Sequence, residues 1–160
     1  MTIAVGDHIP SATLHRMTAD GPEKVSTDDL FAGKRVAVFG LPGAFTPTCS
    51  ARHVPGFLAK AEAFRAKGVD RIVCVSVNDA WVMDAWGKSQ GVGDDIAMLA
   101  DGGGAFTKAL GLAIDLTGAG LGVRSKRYSM LVEDGVVKAL HAEEATGLTI
   151  SDADTLLADL

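Results

Sequence analysis

Two short, almost uninterrupted apolar runs constrain this chain more than any other feature: Arg35 to Gly40 (Arg-Val-Ala-Val-Phe-Gly) and Arg71 to Val77 (Arg-Ile-Val-Cys-Val-Ser-Val). Their β-branched content, without polar alternation, suits strands covered on both faces, and such strands belong to parallel sheets sandwiched between helices. The residues between them supply a helical pattern, with Phe57, Ala61 and Phe64 on one face and Gly68 as a C-terminal stop. The two runs therefore read as central parallel strands joined by a helical crossover.

Ile96 to Ala100 reads as a third strand. Arg127 to Val132 and Val136 to His141 form a hairpin around Asp134-Gly135, since that dipeptide supplies the positive φ of a tight turn. Asp79 can cap a helix in which Trp81/Ala85 and Val82/Trp86 pair four residues apart, Ala105 to Leu110 is a shorter helix, and Ser151 is placed as the N-cap of a final helix through Leu156, Leu157 and Leu160. Alternating strands and helices that finish on an antiparallel hairpin argue for an α/β sandwich with a mixed central sheet. No repeat or linker divides the 160 residues, so one domain, 1–160, is expected.

Hydrophobic residues make up 48% and charged residues 22%, which excludes disordered and low-complexity classes. The net charge of −5, without a basic cluster, disfavours nucleic acid and anionic membrane surfaces as partners. No apolar stretch approaches the ~18 residues of a membrane span, and the N-terminal residues lack a signal pattern, so the expected location is cytoplasmic. Two cysteines, Cys49 and Cys74, are too few for a disulfide framework or a thiolate zinc site. No metal and no organic cofactor is expected.

The chemistry is expected in Leu41 to His53, Leu-Pro-Gly-Ala-Phe-Thr-Pro-Thr-Cys-Ser-Ala-Arg-His. If a helix starts near Thr46 to Thr48, the turn made by Pro42, Gly43 and Pro47 delivers Cys49 to its first turn, where free N–H groups favour a thiolate over the reference thiol of about 8.5. Ionisation alone is a small gain. At pH ~7.4 such a thiol is already roughly 7% thiolate, so full ionisation adds at most ~14-fold, about 1.6 kcal/mol. Larger acceleration requires groups that hold the second reactant. Thr46 can offer a hydroxyl and an arginine a planar fork of donors, with Arg127 and Arg124 as candidates.

The spacing Pro42-xxx-Thr46-xx-Cys49 resembles the active-site signature of peroxiredoxins, specifically the type II (type-five-like) branch. The resemblance continues through Val-Ser-Val-Asn-Asp at 75–79, Leu-Ala-Asp at 99–101, Lys-Arg-Tyr-Ser-Met at 126–130 and Glu-Asp-Gly-Val-Val-Lys-Ala-Leu at 133–140. It implies a thioredoxin-like three-layer fold and a homodimer contacting along the edge near the active-site loops. It also implies a peroxidatic Cys49 that attacks a hydroperoxide and becomes a sulfenic acid, with its sulfur presented at the mouth of a small pocket. Pro42 would shield that pocket, Thr46 would bind the peroxide oxygen, and Arg127 would stabilise the thiolate and the oxygen that gathers charge.

Animal members of this branch carry a resolving cysteine after a stretch resembling Thr146 to Thr149, where this chain has Ile150. The resemblance therefore implies a one-cysteine cycle recycled by glutaredoxin with glutathione, or by thioredoxin. Cys74 reads as a buried strand residue. His53, four residues after Cys49, reads as a pocket or supporting residue, and His8, His15 and His141 as surface positions. The glycines at 102–104 and 118–122 lack phosphate-loop spacing and read as loops, and Trp81 and Trp86 as core or dimer-contact residues. Rival readings are a single-thiol transferase or cysteine hydrolase, and a redox-sensing binding protein in which oxidation of Cys49 is the signal.

Overall fold

A computed structural model describes residues 1–160. The chain forms a seven-stranded sheet from β1 (Thr13–Thr18), β2 (Gly21–Ser26), β3 (Arg35–Leu41), β4 (Arg71–Ser76), β5 (Ala97–Ala100), β8 (Tyr128–Glu133) and β9 (Val136–Ala142), in the order β2-β1-β5-β4-β3-β8-β9. The pairs β3/β4 and β4/β5 are parallel, while β8 and β9 add antiparallel strands on one side and β1 and β2 on the other. The two apolar runs are thus neighbouring central strands, as their composition predicts. A second, two-stranded sheet pairs β6 (Ala113–Asp115) with β7 (Val123–Ser125).

Period-two alternation divides the core. Ala37, Phe39 and Leu41 of β3 and Ile72 and Cys74 of β4 join one cluster, with Phe57, Phe64 and Trp86. Val36 and Val38, with Val73 and Val75, join the other, with Phe31, Phe106 and Leu110. Helices α2 (Val54–Ala59), α3 (Ala61–Ala66), α4 (Ala80–Gln90) and α6 (Ala153–Leu157) supply the first layer, and α1 (Thr27–Phe31) and α5 (Ala105–Leu110) the second. This is the three-layer, thioredoxin-like sandwich with a mixed sheet.

Local signals explain most boundaries. Asp79 accepts the Val82 N–H at 2.8 Å and starts α4, and Asp134 and Gly135 turn the β8/β9 hairpin with φ of 47° and 79°. Three expectations need correction. Ile96 lies outside β5. The long helix expected through Phe57 and Phe64 is broken at Lys60 into α2 and α3. The N-cap of α6 is Asp152, because the Ser151 hydroxyl is drawn instead to the Glu143 carboxylate at 2.7 Å.

Candidate active site

Strand β3 ends at Leu41 and the chain turns through Pro42 to Thr46 into a helical run that opens at Pro47, within the window expected from sequence. Cys49 is the third residue of that run, in the turn whose N–H groups have no partner inside the helix. Residues Cys49–His53 form a π-helical turn, with the Val54 N–H bonded to the Cys49 carbonyl. Pro55 supplies a cause: it has no N–H, and its ring crowds the carbonyl four residues back, so ordinary α-helical bonding fails at that point.

The loop is tied down from several sides. Asn78, beyond the end of β4, accepts the Ala44 N–H at 3.0 Å and the Ser76 hydroxyl at 2.6 Å. The Trp86 indole N–H donates to Ser50 at 3.0 Å, joining the π turn to α4. Arg124 Nη1 donates to the Pro42 carbonyl at 3.2 Å and its Nε to the Leu121 carbonyl at 2.9 Å. Phe45 holds a φ of 64°, a left-handed conformation that costs a non-glycine residue roughly 1–2 kcal/mol.

Pro42, Thr46 and Arg127 line a single cavity of about 270 Å³. Arg124 does not reach it, so the two arginines separate: Arg127 faces the cavity and Arg124 props the loop. Leu116, Ala119 and Leu121, from the arm between β6 and β7, and Thr146 complete the wall. Sequence reading missed these residues; the glycines at 118–122 were the available signal, since they turn the arm over the pocket. A larger cavity of about 360 Å³ between Met17, Lys88 and Met98 contains none of the four expected site residues, so size does not mark this site.

Cys49 departs from expectation. It is wholly buried in the cluster with Phe39, Val54 and Cys74, and does not form part of the cavity wall. Phe39 of β3 and Cys74 of β4, distant in sequence, share that cluster with it. Cys74, also wholly buried, has its thiol pushed well above the ordinary range by burial first and by Cys49 second, with Arg127 pulling the other way. Cys49 and Arg127 therefore each lie within electrostatic reach of Cys74.

Thr46 donates its hydroxyl proton to the Gly43 carbonyl at 2.7 Å, which leaves its oxygen lone pairs as acceptors. Arg127 is 2% exposed, donates from Nε to the Thr146 carbonyl at 3.1 Å and has no carboxylate partner. His53 is buried beside it. Burial, then the Arg127 charge, lowers its pKa from 6.5 to about 3, so the ring is neutral at physiological pH. Its tautomer follows from its partners. The Ser151 carbonyl at 2.9 Å can only accept, so Nε2 carries the hydrogen, and Nδ1 accepts from Arg127 Nη1 at 3.1 Å. The remaining histidines differ: His8 is exposed, His15 is half-buried, and His141 pairs with Asp159.

The site just described, a Pro/Thr loop feeding a cysteine into a helix beside a buried arginine on a thioredoxin-like sheet, defines a thiol-dependent redox protein. The Redoxin family pattern matches residues 4–157. Peroxiredoxin-2E-2, chloroplastic, of Oryza sativa subsp. japonica is 53% identical over 98% of this chain and 72% of its own length. Reduced Prx3 of Vibrio vulnificus, solved in complex with H2O2, is 49% identical over 98% of both chains, with a TM-score of 0.94. A Burkholderia cenocepacia chain provisionally described as a thioredoxin reductase is 51% identical over 100% of this chain and 99% of its own, with a TM-score of 0.98. This chain belongs to the peroxiredoxins, the thiol peroxidases of the Redoxin family. No helix is long and apolar enough to cross a membrane.

Proposed function

We propose that the chain reduces hydrogen peroxide and small organic hydroperoxides, with Cys49 as nucleophile and an external thiol as electron donor. The observation that carries this reading is the convergence of Pro42, Thr46 and Arg127 on one cavity at the head of the helix that bears Cys49. The Cys49 thiolate attacks one peroxide oxygen. The S–O bond forms as the O–O bond breaks, and the departing oxygen keeps the electron pair, takes a proton and leaves as water or alcohol. The sulfur is oxidised by two electrons to a sulfenic acid.

In this scheme Thr46 Oγ1 accepts the peroxide O–H, Pro42 shields the cavity from water, and Arg127 stabilises both the thiolate and the oxygen that gathers charge. Cys49 is buried, so in this scheme the peroxide reaches its sulfur through the cavity rather than from bulk solvent. An external thiol then attacks the sulfenic sulfur, expels water and forms a mixed disulfide, which a second thiol reduces. The donor we propose is glutaredoxin with glutathione, or thioredoxin, in the cytoplasm. Ile150 cannot resolve the intermediate, and Cys74 is buried with a thiol held protonated. The exposed faces of Phe45 (56%) and Trp81 (65%) supply apolar surface for a homodimer near the active-site loop, whereas Trp86 is core.

A coupled assay tests the reading. Peroxide should disappear steadily with glutathione/glutaredoxin or thioredoxin, and Arg127→Gln should slow the reaction by more than the ~14-fold that thiolate ionisation can supply. Single oxidation without turnover on any thiol donor would favour a sensor, and ester or amide cleavage without a donor would favour a hydrolase. Intramolecular disulfide exchange at this site would need a second cysteine three residues before Cys49, and Thr46 stands at that position.

A further inference from the structure

We infer that Glu143 is a positioning residue for the peroxide site, its carboxylate folding the 143–151 segment so that the Thr146 carbonyl holds Arg127 directly and the Ser151 carbonyl holds it through His53. The inference rests on the reading of Arg127 as the peroxide-binding cation. Glu143 lies just after β9, is 5% exposed and has no cation within ion-pair distance. Five donors surround its carboxylate instead. Oε2 accepts the Thr149 N–H at 2.9 Å, the Ile150 and Ser151 N–H groups at 2.8 Å each and the Ser151 hydroxyl at 2.7 Å, while Oε1 accepts the Thr149 hydroxyl at 2.5 Å. Burial alone pushes this carboxyl up, and the hydroxyl and amide donors outweigh it and hold it at about 2.

Residues 143–151 contain no helix or strand, so without that carboxylate three N–H groups would have to find other partners. The segment returns to Arg127 at three points. The Glu143 N–H donates to the Arg127 carbonyl at 2.8 Å, the Thr146 carbonyl accepts Arg127 Nε, and the Ser151 carbonyl fixes the His53 tautomer whose Nδ1 accepts Arg127 Nη1. Every named partner of the guanidinium is therefore set by the segment that Glu143 gathers. None of these partners is anionic, so the guanidinium is oriented without a neutralising carboxylate and keeps its charge for the reacting oxygen.

The test uses two reagents on the same protein. Peroxide attack needs Arg127, whereas alkylation by iodoacetamide needs only an accessible thiolate. Glu143→Gln should slow peroxide oxidation of Cys49 at least about tenfold more than it slows alkylation, which loses only the thiolate stabilisation that Arg127 supplies, at most ~14-fold. In an Arg127→Gln background the same substitution should cause little further loss, because both act through one guanidinium. The side-chain Nε–H signal of Arg127 by NMR should lose its protection from solvent exchange in Glu143→Gln, a readout that holds whether or not the protein is a peroxidase. If Glu143→Gln fails to fold, Thr149→Val with Ser151→Ala removes two donors and should produce a smaller loss of the same kind. Equal losses in both reagents, an additive loss beyond Arg127→Gln, or an unchanged peroxide rate and Nε–H signal would overturn the inference. A wild-type protein inert to peroxide would overturn the peroxidase reading instead, and the Nε–H signal would still decide the role of Glu143.

Discussion

Buried neutral His53 makes stability depend on pH in a way that can be worked out in advance. Its pKa is about 3 in the folded chain against 6.5 when exposed, so between those values the unfolded chain binds one more proton than the native one. Stability must then fall as pH is lowered through 6.5. At pH 5 the unfolded imidazole is almost fully protonated while the folded one stays neutral, which costs the fold about 2 kcal/mol relative to pH 7.5. Because pH 5 lies above the folded value, this loss is governed by the unfolded pKa alone. The assay is urea unfolding of the wild type and His53→Gln at pH 7.5 and 5.0. Other titrating groups are common to both proteins, and the Glu143 carboxyl, unfolded near 4.5 and folded near 2, gives up its contribution only below this window. Wild type should lose about 2 kcal/mol more than the variant between the two pH values. Equal losses would refute the assignment of His53 as a neutral acceptor for Arg127.

Gly40→Ala should destabilise the fold by at least about 2 kcal/mol, read by thermal unfolding, because a Cβ there would stand 2.1 Å from Tyr128 Cε1 inside the core. Arg124→Ala removes the tie to the Pro42 carbonyl and should cost about 1 kcal/mol in denaturant unfolding. Its effect on the peroxide rate should be much smaller than that of Arg127→Gln, since Arg124 does not face the cavity. The proposed homodimer contact through the exposed Trp81 is tested by Trp81→Lys, which should lower the sedimentation coefficient relative to wild type; equal coefficients would remove Trp81 from the contact.

How far the sequence could be read depended on whether the forces at each element were local. The runs in β3 and β4 are apolar throughout because both faces are covered, and Asp134-Gly135 marks its turn wherever it occurs. The β1/β2 hairpin was missed although Asp20-Gly21 carries the same signal and Gly21 has a φ of 109°. Its strands sit at the sheet edge and are polar enough to resemble a loop. Ser151 and Asp152 are equally good caps, and only the distant Glu143 decides between them. In the site, the Pro42, Thr46 and Cys49 spacing was legible because one turn carries it. The separation of Arg127 from Arg124, the apolar arm around Leu121 and the burial of Cys49 arise from contacts between distant segments, so they became visible only in three dimensions.

The most direct measurement is the pre-steady-state oxidation of the reduced protein by hydrogen peroxide, with the thiol product of each cysteine identified by mass. Wild type and Cys74→Ser should react at nearly the same bimolecular rate and carry one added oxygen at residue 49, while Cys49→Ser should not react on that timescale. Rapid oxidation that survives in Cys49→Ser, or that appears first on Cys74, would contradict the account.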